Sequence, residues 1–112
     1  MSESAKKARL LIVDDVRANI KVLAENLRSQ YDISMALDGK TALQIVEREL
    51  PDLILLDVMM PEMDGYEVCR RLKANKKTCD VPIVFVTAKD EALDEALGFD
   101  LGAVDYITKP FS

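Results

Sequence analysis

The stretch Asp52-Leu53-Ile54-Leu55-Leu56-Asp57-Val58-Met59-Met60-Pro61-Glu62-Met63-Asp64-Gly65 decides how the chain is read. Pro51 precedes it, and its apolar run shows no alternation, the pattern of a strand buried on both faces inside a parallel sheet. Asp57 then stands at the strand's carboxyl end. In open α/β sheets ligands gather at that end, so an acid carried there by an apolar strand is a candidate for chemistry. Taken alone, the same acid equally suits a turn ahead of Pro61. The rest of the chain has to separate the two.

Upstream, a polar leader gives way to Leu10-Leu11-Ile12-Val13, a second buried run closed by Asp14-Asp15. Val16, Ile20, Leu23 and Leu27 then recur at the helical period, with Arg17, Lys21, Glu25 and Arg28 facing water. Tyr31-Asp32-Ile33-Ser34-Met35 alternates as a strand does, and Asp38-Gly39 turns into a helix carrying Ala42, Ile45, Val46 and Leu50. Downstream, a third helix sets Tyr66, Cys69 and Leu72 inward and Arg70, Arg71 and Lys73 outward. Asn75 to Asp80 form a polar loop. Val81 to Val86 read as a fourth strand with Thr87 at its end. Leu93, Ala96 and Leu97 mark a short helix stopping near Gly98 or Gly102, and Val104 to Thr108 are a fifth strand ending in Lys109-Pro110. This strict alternation specifies a parallel sheet with right-handed crossovers.

Composition sets the limits. The 112 residues fit one domain, with 49% apolar and 31% charged content typical of a globular chain. A net charge of -5 repels nucleic acid and anionic membrane surfaces, so direct binding to either is not expected. No apolar run reaches the ~18 to 20 residues of a membrane helix, and the opening segment lacks a signal peptide's apolar core, which places the chain in the cytoplasm. The two cysteines, Cys69 and Cys79, form no C-x-x-C and are expected as free thiols. The absence of histidine removes His-ligated zinc and Ser-His-Asp chemistry.

If the strands are parallel, Asp14, Asp15, Asp57, Thr87 and Lys109 meet at one rim. Each alone has an ordinary use, as helix cap, strand end or solvated loop cation. Together they suit one chemistry. Three crowded carboxylates repel unless a cation joins them, and a hard divalent ion with oxygen ligands is the natural choice. A carboxylate beside Mg2+ can attack a phosphoryl group to give an aspartyl phosphate, with the metal, a lysine and a hydroxyl sharing the charge on the phosphoryl oxygens.

At this point the chain resembles the receiver domain of bacterial two-component response regulators, from about Arg9 to Phe111. The signals are Leu-Ile-Val-Asp14-Asp15, Leu-Ile-Leu-Leu-Asp57-Val-Met-Met-Pro61 with Asp64-Gly65, Ile-Val-Phe-Val-Thr87-Ala88, and Asp105-Tyr106-Ile-Thr-Lys109-Pro110. The resemblance implies a flavodoxin-like (CheY-like) doubly wound five-stranded sheet in the order 2-1-3-4-5. It implies that Asp57 accepts a phosphoryl group from a sensor histidine kinase or phosphotransfer protein. Asp15 would bind Mg2+, or Mn2+ in its place, directly, Asp14 through water, and Met59 through its backbone carbonyl. Thr87 and Lys109 would contact the phosphoryl oxygens, Tyr106 would be a rotamer switch, and the Lys109-Pro110 peptide would be cis. The surface of the fourth helix and fifth strand would signal to an output domain or protein partner absent from this chain. The resulting protein is a switch with self-catalysed phosphotransfer and slow autodephosphorylation, and not a turnover enzyme.

Two other readings stand beside this one. A phosphorylation-independent interaction or dimerisation module leaves the acids, Thr87 and Lys109 without a use. A Mg2+-dependent phosphatase wants a second acid two residues past the nucleophile, where Met59 stands. Lys89 is a solvated charge by default, or a guard slowing entry of the hydrolytic water. Receivers normally continue past Lys-Pro-Phe into a fifth helix, whereas this sequence ends at Ser112. The expected organisation is therefore a flexible leader over 1-8 and a receiver domain over 9-112 lacking that helix. Leaving roughly 400 Å2 of apolar surface wet would cost on the order of 10 kcal/mol, halved for a compact unfolded state. Marginal stability, or self-association through the bared face, is the expectation.

Overall fold

The central apolar runs become strands because their residues alternate between two covers, one on each side of the sheet. The computed structural model describes residues 7–88 and 95–109. Within them the order is β1 (Ala8–Val13), α1 (Arg17–Leu27), β2 (Tyr31–Ala36), α2 (Gly39–Arg48), β3 (Leu53–Asp57), α3 (Gly65–Ala74), β4 (Ile83–Ala88), α4 (Glu95–Asp100) and β5 (Asp105–Lys109). The sheet runs β2-β1-β3-β4-β5, and every neighbouring pair is parallel. This is the doubly wound order expected.

Alternation along the strands splits the core in two. Leu11, Val13, Ile54, Leu56, Ile83 and Phe85 face one side, where they meet Ala42 and Val46 of α2 and Val68, Cys69 and Leu72 of α3. Leu10, Ile12, Leu55 and Val86 face the other side and meet Ile20, Leu23 and Ala24 of α1. A one-residue slip of any central strand would exchange the two sets, so register is firmly specified.

Several details depart from the sequence reading. Val16, expected on the inner face of the first helix, is extended, caps α1 and is 46% exposed. Leu50 falls beyond α2, which ends at Arg48, and is 48% exposed. Met35 lies on the edge strand β2 and is also exposed. Lys73 is not a solvated outer charge. Its ammonium donates to the Cys79 and Val81 carbonyls at 2.9 and 2.7 Å, clasping the loop between α3 and β4. That loop is less polar in practice than in composition, because Thr78 is buried with its hydroxyl donating to the Leu72 carbonyl at 2.6 Å. The hydroxyl thereby joins the Asn75 N–H, at 3.3 Å, on a carbonyl at the end of α3. β4 starts two residues later than expected and includes Thr87. Leu93 lies outside the described residues. Both cysteines are free, and burial pushes the Cys69 thiol up, so it stays protonated. No helix among the described residues is long and apolar enough to cross a membrane.

Candidate functional site

The chain order reverses between β1 and β3: β1 has β2 on one side and β3 on the other. Such a switch point opens a crevice at the carboxyl ends of the strands, because the connections leaving the two strands diverge to opposite faces. The last ladder pair between these strands is Val13–Leu56, and the residues that follow are Asp14 and Asp57. Asp57 in turn pairs with Val86, so Thr87 is one step beyond it on β4. β5 brings Thr108 opposite Thr87 and Lys109 opposite Ala88.

Register alone therefore assembles the rim. Carboxylate oxygens of Asp14, Asp15 and Asp57 all lie within 4.8 Å of one another. Asp14 and Asp57 are 2% and 3% exposed, whereas Asp15 is open to solvent. Thr87 is buried beside them on the neighbouring strand. Met59, two residues past Asp57, carries an exposed side chain. The Lys109 side chain, Lys89, and Pro110 with the cis peptide expected there lie outside the described residues.

Two local devices hold the rim in shape. Asp14 donates its backbone N–H to the Ala36 carbonyl at 3.1 Å, while its carboxylate accepts from Val16 N–H at 2.9 Å and from the Asn19 side-chain amide at 3.2 Å. After Asp57, the chain makes a γ-turn centred on Glu62, whose φ is 69°, closed by Met63 N–H to the Pro61 carbonyl at 2.8 Å. Positive φ at a non-glycine residue is uncommon and stores strain, and such strain clusters at functional loops. Gly65 then returns against the strand end, donating to the Val58 carbonyl at 2.8 Å. A Cβ on Gly65 would lie 2.2 Å from the Asp57 carbonyl oxygen, so only glycine permits this approach.

Tyr106 pairs with Phe85 across the ladder and is half-buried, its ring edge-on to Phe99 of α4 at 6.1 Å. The ring thus bridges β5 and α4. The sequence reading did not single out Asn19, Gly65's approach to Asp57 or Phe99. Asn19 was findable, because an amide in the first turn of a helix that opens behind an acid pair is within reach of those acids.

The donor set passes a chemical test for a hard divalent cation. It offers oxygens only, from three acids whose mutual repulsion such an ion would relieve, and one acid faces water, leaving room for the aquo ligands Mg2+ retains.

Fold and rim together define a class: a doubly wound parallel domain with a three-carboxylate notch at its switch point. Within that class, residues 10–112 match the response regulator receiver domain family, and the chain belongs to it. It is a receiver domain of the two-component systems. The response regulator PleD of Caulobacter vibrioides is 50% identical over 104 residues, 92% of this chain and 23% of PleD. The chain thus spans less than a quarter of that relative's length. The N-terminal domain of a response regulator receiver protein from Methanoculleus marisnigri superposes with TM-score 0.83 at 36% identity, covering 92% of this chain and 85% of that one. The receiver domain of the sensor histidine kinase PA1611 from Pseudomonas aeruginosa superposes with TM-score 0.84 at 34% identity, covering 95% and 88%. That structure holds a magnesium ion in its active site cleft.

Proposed function

We propose that Asp57 is the phosphoacceptor of a Mg2+-dependent phosphorelay and that its phosphorylation switches the α4–β5 surface. The observation that carries the reading is the three-carboxylate notch, in which Asp57 is buried at the end of β3 with Asp14 and Asp15 within 4.8 Å. A carboxylate oxygen of Asp57 attacks the phosphorus of a kinase or carrier phosphohistidine. The new O–P bond forms as the P–N bond breaks, and the imidazole leaves. Asp14, Asp15, Asp57 and the Met59 carbonyl would hold the ion, Mg2+ or Mn2+, which when bound shares the charge spread over the phosphoryl oxygens. Thr87 and Lys109 contact those oxygens, and Tyr106 follows Thr87 inward, repacking against α4. Water later attacks the phosphorus, releasing inorganic phosphate and restoring the carboxylate.

On this reading the product stays attached to its own catalyst, and the chain is a switch rather than a turnover enzyme. Its partners are a sensor histidine kinase or phosphotransfer protein and an output domain or protein that reads α4 and β5. Incubation with acetyl phosphate and Mg2+ tests the core of it. Stoichiometric labelling, read by intact mass and abolished by EDTA or by Asp57→Asn, is the expected result. No labelling would leave an interaction module, and repeated turnover of phosphomonoesters would make the domain a phosphatase.

A further inference from the structure

The two carboxylate oxygens of Asp14 are held by two donors of a single helix. One accepts from the Val16 backbone N–H at 2.9 Å and the other from the Asn19 side-chain amide at 3.2 Å. Both donors sit at the start of α1, Val16 at its capping position and Asn19 in its first turn, and that start has no side-chain cap of its own. Rotation of the Asp14 side chain would break at least one of these bonds. The two bonds orient the carboxylate, and a carboxylate oxygen can accept from more than one partner.

We infer that Asn19 is a positioning residue for the acidic notch, holding the Asp14 carboxylate in the pose that a divalent cation meets. The inference rests on reading Asp14, Asp15 and Asp57 as the cation site and extends it to a residue outside the three acids. Asparagine is among the weaker helix formers, so its place in the first turn is not explained by propensity. Asn26, on the same helix, is its internal control. That amide donates to the Val22 carbonyl one turn back at 3.0 Å and serves the helix alone. The half-buried Asn19 amide instead reaches out of the helix to a buried acid. Partners that orient a metal-binding carboxylate are worth about ten-fold in metal affinity even though they never touch the ion.

The experiment is a titration of the 112-residue chain with MgCl2 followed by proton–nitrogen correlation spectra. In the unsubstituted chain the Asn19 side-chain amide signals shift with Mg2+ and saturate with the Asp14 and Asp15 backbone signals, whereas those of Asn26 stay in place. Asn19→Ala raises the Mg2+ Kd about ten-fold without lowering the Tm in EDTA, because alanine is the better helix former. Asn19→Leu, which keeps the side chain's volume, does the same, and Asn26→Ala leaves the Kd within two-fold. An unchanged Kd in Asn19→Ala and Asn19→Leu overturns the inference while leaving the cation site intact. Equal losses in Asn19→Ala and Asn26→Ala overturn it too, by reducing Asn19 to a helix-stability role. An unsubstituted chain that ignores Mg2+ overturns both the inference and the cation site beneath it.

Discussion

Helices α1, α2 and α3 each follow a strand or turn at the carboxyl end of the sheet, and an aspartate attends the start of each, but the acids are used differently. Asp38 accepts from Thr41 N–H at 2.7 Å and Asp64 from Glu67 N–H at 2.9 Å, so each caps the helix that directly follows it. Both are exposed. The Thr41 N–H holds the Asp38 carboxyl below the usual carboxylate range. At α1 the capping position is Val16, and the acid that takes the Val16 N–H is Asp14, buried in the notch with Asp15 and Asp57. An acid with only helix donors around it is stabilised by them. An acid among other acids is repelled by them, and a cation relieves that repulsion. The same residue type at the same rim thus caps a helix in two places and lies among other acids in the third, and what separates the cases is the neighbouring charge.

The sharpest way to break this comparison is to remove one acid of each kind and ask for opposite signs. In EDTA, Asp57→Asn relieves repulsion among three carboxylates of which two are buried, and stability rises by about 2 kcal/mol. Asp64→Ala removes a cap and lowers it by about 1 kcal/mol. Urea melts of the two variants and the unsubstituted chain measure both. Excess Mg2+ should erase the advantage of Asp57→Asn, because only the unsubstituted notch gains the ion's stabilisation. It should leave the Asp64→Ala deficit unchanged. If Asp57→Asn destabilises in EDTA, the buried acids are held by their surroundings as comfortably as the caps are, and the distinction fails.

Which parts of this were legible in the sequence follows from the range of each signal. Leu53 to Leu56 announced a central strand because a strand covered on both sides has no polar face to interrupt it, and β3 is that strand. Asp14, Asp15, Asp57 and Thr87 were legible as a group because strand ends in a parallel sheet necessarily share an edge. The family motifs then supplied the strand order, which periodicity could not. What periodicity misses is chain folding back on itself. Lys73 looked like one of three outer cations of α3, but the loop from Asn75 returns over it and offers two carbonyls. Gly65 read as a turn residue, yet its contact with the Asp57 carbonyl depends on the γ-turn at Glu62, which nothing in the local composition announces. Val16 kept the helical spacing and still fell outside the helix, where it is extended at the capping position with its N–H on Asp14.

The finest version of the comparison concerns Glu67, an acid in the first turn of α3 that neither caps nor binds metal. Its carboxylate accepts from Arg70 Nε at 2.9 Å and Arg71 Nε at 2.7 Å, one turn ahead on the exposed face. The hydrogen bonds from Arg70 and Arg71 hold its pKa at about 2, below the ordinary value of 4.5. A depressed carboxylate pKa means the unfolded chain binds the proton more readily. The stabilisation from Glu67 is therefore complete above about 4.5 and is lost as pH falls from there toward about 2. Surface pairs of this kind are small and screened, so Glu67→Gln should differ only slightly from the unsubstituted chain at neutral pH in low salt. The gap should close on acidification through that window, and also at neutral pH in ~1 M salt. Because the two proteins differ only at residue 67, the difference between their melts isolates Glu67. A gap that persists unchanged below pH 2, or that ignores salt, would mean the side chain acts by packing against α3 and not by its charge.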